Sequence, residues 1–111
     1  MRVVLALSNL ILTDVEIERY KMSENASNDL EWLLRNMVTS LVDDVNKISI
    51  RTHDSESTVF FDVDVDRDDV GKLIGREGKT AGALRHILGA AGAKYKVRTI
   101  LSIKDKKSDG E

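Results

Sequence analysis

A chain of 111 residues has the length of one domain with one modest core, and its 41 % apolar and 32 % charged residues are an ordinary globular balance. It has no cysteine, which excludes disulfides and thiolate metal sites, and His53 and His86 stand far apart without acidic partners at ligand spacing. The formal net charge of -2 argues against a globally basic nucleic-acid binder, yet residues 72–98 carry Lys72, Arg76, Lys79, Arg85, Lys94, Lys96 and Arg98 against the lone Glu77.

At the N-terminus, Arg2 precedes an apolar run over residues 3–12, the outline of an export leader, with Ala6 and Ser8 resembling a cleavage site. The run continues past those residues, which disfavours a leader, and it is too short to span a bilayer. Residues 1–21 fit neither strand nor helix periodicity well. After Met22, "SENASND" reads as a linker or a free N-terminus, and Met22 itself as an alternative translation start. The expected division is an extension over residues 1–26, a folded domain over 27–103, and a charged tail over 104–111.

Asn28, three residues before Glu31, is placed as the N-cap of the first helix. Leu30, Leu33, Leu34, Met37, Val38, Leu41, Val42 and Val45 then recur at helical spacing, with Trp32 off the centre of that face. Asp43 and Asp44 fall where acids oppose the helix dipole, and nothing local accounts for them. Ile48 and Ile50 alternate with polar residues in a strand, "DSES" turns, and Val59, Phe61, Val63 and Val65 alternate with Phe60, Asp62 and Asp64. The two strands form an expected hairpin with its acids on a wet face. Asp66 and Asp69 are placed to cap a short helix to Ile74. A further helix from Lys79 to about Ala93 carries the stripe Ala83, Leu84, Ile87, Leu88 and Ala91, and "VRTILSI" is the last strand. The order is helix, strand, strand, helix, helix, strand: an α+β domain with helices on one face of a three-stranded sheet.

The glycines between the last two helices ask for a function. "GREGKT" ends like a nucleotide phosphate loop, but that motif and the dinucleotide fingerprint both need glycine at position 73, where Leu73 stands. A calcium loop over Asp62, Asp64 and Asp66 fails too, with Arg67 and Leu73 in place of the required glycine and glutamate. What remains is Gly75, Arg76, Glu77 and Gly78, two glycines around two polar residues at a helix start. Such a turn lets a sugar-phosphate backbone approach, and Lys72, Arg76 and Lys79 add charge, although Glu77 opposes it. A plain turn with solvated charges fits the same four residues equally well. No paired acids, activated nucleophile or metal centre stand at useful spacing, so an enzyme is not expected.

The stretch "DVGKLIGREGKTAGALRHIL" resembles the core of a KH domain, above all the small single-domain bacterial RNA-binding members. Ile74, Gly75, Gly78, Ala83, Leu84 and Arg85 fit the motif, and the resemblance extends over residues 30–103. It leaves residues 1–21 unmatched and differs from the family in the acid of "GREG". It implies a type II KH arrangement with a mixed sheet, no cofactor, a cytoplasmic location, and a part in post-transcriptional regulation or RNA chaperoning. Single-stranded RNA would run over the glycine turn, with bases in a groove beside it. Lys72, Ile74, Gly75, Arg76, Glu77, Gly78, Lys79, Leu84 and Arg85 are the RNA-binding residues expected on that basis, with Val70 and Leu73 beside the groove. Ile74 and Leu84 read equally as core residues. Trp32, Gly82 and Gly89 suit a close helix contact, either within the chain, in a homodimer, or with a second KH-containing protein. A protein-interaction module with weak or absent RNA binding is therefore the rival reading.

Overall fold

The structure is a computed structural model that describes residues 5–7 and 10–106, and the side chains of 13, 14 and 26–106. In chain order it holds β1 (Leu5–Leu7), β2 (Leu10–Leu12), α1 (Asp14–Leu41), β3 (Ser49–Ser55), β4 (Thr58–Val65), α2 (Arg67–Ile74), α3 (Lys79–Lys94) and β5 (Arg98–Asp105). Short 3-10 turns at Val45–Lys47 and Arg76–Gly78 precede β3 and α3.

The alternation in β4 decides the architecture. Val59, Phe61, Val63 and Val65 all point to one side and are buried, so β4 belongs at the centre of a sheet. It pairs antiparallel with β3, Ile50 opposite Val63, and parallel with β5, Phe61 opposite Leu101. The result is a mixed sheet of order β3-β4-β5. The parallel β4–β5 pair requires a crossover, and α2 and α3 supply it. Leu30, Leu34, Val38 and Val42 of the first helical segment join Leu73, Leu84, Leu88 and Leu101 in one core against these strands. This is the α+β, helices-on-one-face fold that the sequence pattern implies. β1 and β2 form a separate antiparallel pair.

Three boundaries differ from expectation. First, α1 begins at Asp14 and runs unbroken through the stretch read as a linker, so Asn28 lies inside a helix and caps nothing. "SENASND" is polar but has neither proline nor glycine to stop a helix, and Ala26 within it is buried. Second, α1 stops at Leu41, because the N–H groups of Asp43 and Asp44 bond to Asp69 rather than to helix carbonyls. Third, β5 extends to Asp105, into the segment expected to be tail. Residues 1–4, 8, 9 and 107–111 of the expected extension and tail lie outside the described residues. Among the described residues no helix is long and apolar enough to cross a membrane.

The acids of β4 are not simply a wet face. Asp64 is 3 % exposed, and Arg51 on β3 donates to its Oδ2 at 2.9 Å. The stripe on α3 also divides: Leu84 and Leu88 are in the core with Ala81 and Gly92, while Ala83 is exposed and Ile87 is 47 % exposed.

Candidate nucleic-acid interface

Three of the four residues of the glycine turn have positive φ. Gly75 closes α2 with φ 77° and donates its N–H to Gly71 O at 2.8 Å. Glu77 follows at φ 56° and Gly78 at φ 74°, with Gly78 N–H bonded to Gly75 O at 3.1 Å. The two glycines are needed for different reasons. A Cβ at Gly75 would lie 2.7 Å from Thr80 N, so both sterics and dihedral demand glycine there. A Cβ at Gly78 would meet nothing within 4 Å, so that side of the turn is open to an approaching ligand. Gly78 is also the N-cap of α3 and offers no side-chain cap; the Lys79 N–H bonds to Arg76 O, and the positive end of the helix faces the open side of the turn.

Of the cations assigned to the turn, Arg76 and Lys79 are exposed and have no ion pair among the described residues; nor has Glu77. Lys72 is different. Its Nζ lies 2.9 Å from Asp43 Oδ2 and 3.0 Å from Asp69 Oδ1, a pairing that raises its pKa, chiefly through the bond to Asp43. Lys72 therefore ties α2 to the end of α1. Arg85 is exposed and donates from Nε and Nη2 to Leu101 O at 3.4 and 3.2 Å, so it covers part of the free edge of β5. Leu84 and Leu73 are buried core residues; Ile74 and Val70 are half-buried and keep an exposed edge next to the turn.

Asp69 is the organising residue that sequence reasoning placed wrongly. It does not cap α2; Asp66 does, accepting from Asp68 N–H. Asp69 is 2 % exposed and accepts the N–H groups of Asp43 at 3.2 Å and Asp44 at 3.0 Å. Those bonds, led by the one from Asp44, hold its carboxyl below the ordinary range. They also explain Asp43 and Asp44: their N–H groups anchor the turn, and the Asp43 carboxylate receives Lys72. The signal available in sequence was an acid inside a short helix whose apolar neighbours, Leu73 and Val65, are core.

The expected interface residues are not brought together: Gly82 and Gly89 line neither cavity beside α1. Trp32 is 67 % exposed. A Cβ at Gly82 or Gly89 would meet nothing within 4 Å, so close packing by α1 does not require either glycine. Gly92 is the glycine that packing does require: its Cβ would sit 2.9 Å from Val97 O. Between α1 and α3 lies an apolar cavity of about 460 Å³, lined in part by Met37, Leu41, Ala83 and Ile87. A second, of about 340 Å³, is lined by Asp29, Leu30, Trp32, Leu33, Ala91, Lys94 and Tyr95.

Residues 31–103 match the family model described as KhpA/KhpB, KH domain. Among curated proteins, the chain is 36 % identical over 76 residues to the RNA-binding protein KhpA of Halalkalibacterium halodurans, covering 68 % of this chain and 100 % of that protein. It is 38 % identical over 78 residues to the RNA-binding protein KhpA of Borreliella burgdorferi, covering 70 % and 94 %. With the RNA-binding protein KhpA of Aquifex aeolicus the identity is 41 % over 63 residues, covering 57 % and 80 %.

Proposed function

The chain belongs to the KhpA/KhpB family of KH domains, and from that membership we propose that it binds single-stranded RNA, without catalysis, at the turn from Gly75 to Gly78. The observation that carries this reading is the open turn itself. Among the described residues Arg76 and Lys79 have no ion pair and stand beside a helix start with no side-chain cap, whereas Lys47, Arg51 and Lys72 are held by acids. A phosphate laid across Gly78 meets the uncapped start of α3 and two exposed cations, and displaces no ion pair among the described residues. Ile74 and Val70 offer apolar edges to unstacked bases. A part in post-transcriptional regulation in the cytoplasm belongs to this proposal.

The test is a titration of labelled single-stranded RNA against the wild type and an Arg76→Asp/Gly78→Asp variant at low salt, with circular dichroism as the folding control. Affinity should fall as salt rises, should be weaker for duplex, and should be lost in the variant. Equal binding by two folded proteins moves the site away from the turn.

A second reading, a module that pairs with another copy or another KH-containing protein, is favoured by the apolar α1–α3 cavity and the exposed Ile87 on its wall. Sedimentation equilibrium across micromolar concentrations tests self-association; a monomer mass throughout removes the homodimer.

A further inference from the structure

At the end of α3 remote from the glycine turn, the chain assembles aromatic surface and a lysine around one cavity. Trp32, 67 % exposed, and Tyr95 line it from α1 and from the C-cap of α3. Lys94 lines it too, with its Nζ 5.5 Å from the Tyr95 ring centroid. The volume of about 340 Å³ is within the range that holds a small planar ligand. Asp29 also lines the cavity and accepts the Tyr95 hydroxyl at Oδ2, while Glu31 is shared by Arg35 and Thr52. Lys94 and Lys96 have no acidic partner among the described residues.

Lys96 adds an independent observation. The Val97 N–H bonds to Gly92 O at 3.0 Å and the Lys96 N–H to Ala93 O at 3.1 Å, the paired bonds of a helix stop that normally places glycine at the left-handed position. Here that position is a lysine at φ 60°. Glycine would fit without strain, so the chain accepts a backbone cost and gains an exposed cation two residues beyond Lys94, which lines the cavity.

We propose that this cavity is a second single-stranded RNA site, where one nucleobase lies against Trp32 and Tyr95 while Lys94 and Lys96 meet the adjoining phosphates. Aromatic faces take any base and lysines take any phosphate, so the site is sequence-tolerant. It does not depend on the turn for its chemistry. The 16 residues of α3, about 24 Å of helix, separate the two. A strand reaching both would gain from their linkage.

Trp32 is the single tryptophan of the chain, so its fluorescence reports this site alone. A short single-stranded RNA tetranucleotide should quench it, saturably, in the wild type and equally in the Arg76→Asp/Gly78→Asp variant. Persistence in that variant separates this site from the turn. Lys96→Gly should raise the melting temperature yet weaken the quenching roughly fivefold at low salt. A lysine with a purely structural role would move the first readout and leave the second. Trp32→Ala, an exposed position, should keep the fold and weaken a longer single strand about tenfold in anisotropy titrations. Absence of quenching at millimolar tetranucleotide overturns the proposal. So does quenching lost with the turn variant, or a Trp32 emission shift that follows protein concentration without RNA, which assigns the surface to another copy of the chain.

Discussion

Asp69 Oδ2 accepts the backbone N–H of Asp44 at 3.0 Å, and through that bond the first turn of α2 fixes where α1 ends. The arrangement makes a pH prediction. The Asp69 carboxyl is held below its ordinary 3.8, first by the Asp44 N–H and then by Asp43 and Lys72, against the opposing effect of burial. A depressed acid stabilises the fold above pH 3.8 and loses that contribution as pH falls through its folded value. Asp69→Asn should therefore lower the melting temperature at neutral pH, and the difference from wild type should close below pH 3.8. Lys72 has the opposite sign: raised above 10.5, it contributes below that pH and ceases to as pH rises through its folded value. Thermal melts across pH check both; a difference that persists undiminished in acid would refute the carboxylate's role.

The turn glycines should separate in their cost. Gly75→Ala puts a Cβ against Thr80 at a positive φ, and should destabilise by more than about 1–3 kcal/mol, the strain of the dihedral alone. Gly78→Asp faces open space in a left-handed geometry that aspartate tolerates, and should cost about 1 kcal/mol. Denaturant melts measure the two. Equal losses would mean that the open side of the turn is not open in solution.

How much of this could be read from the sequence depends on what each residue's neighbours are. The β4 alternation and the α2 boundaries were legible because period-two burial and an aspartate cap are local. The family motif located the turn, and its two left-handed glycines follow from local geometry. Asp69 was not legible, because its partners lie 25 and 26 residues back along the chain. Lys72 and Arg85 looked like free phosphate ligands for the same reason: Asp43 and the Leu101 carbonyl are distant in sequence. Ala83 and Ile87 fit the helical stripe yet miss the core, since periodicity gives a face but not how much of it α1 covers. The start of α1 was lost to composition, polar residues being taken as a break where no breaker stands.

The N-terminal extension should be dispensable for the core. The described core begins with Ala26 and Leu30, the family match begins at residue 31, and α1 loses only its first turns when residues 1–21 are removed. The truncated chain should melt cooperatively within a few degrees of the full one. Loss of a cooperative transition would place residues 1–21 in the core.

Gly82 and Gly89 give a test of what covers the outer side of α3. Glycine inside a helix costs about 1 kcal/mol against alanine, and here a Cβ at either position meets nothing among the described residues outside its own helix turn within 4 Å. In an isolated monomer, Gly82→Ala and Gly89→Ala should each stabilise, raising the melting temperature by about 4 °C or more. If a second copy seats its backbone against this helix, the added methyl groups meet that copy instead. The gain should then vanish as protein concentration rises, and the sedimenting mass should drop. Melts of both variants at two concentrations, paired with sedimentation, distinguish these cases. Stabilisation independent of concentration would show that neither glycine serves a helix contact between subunits.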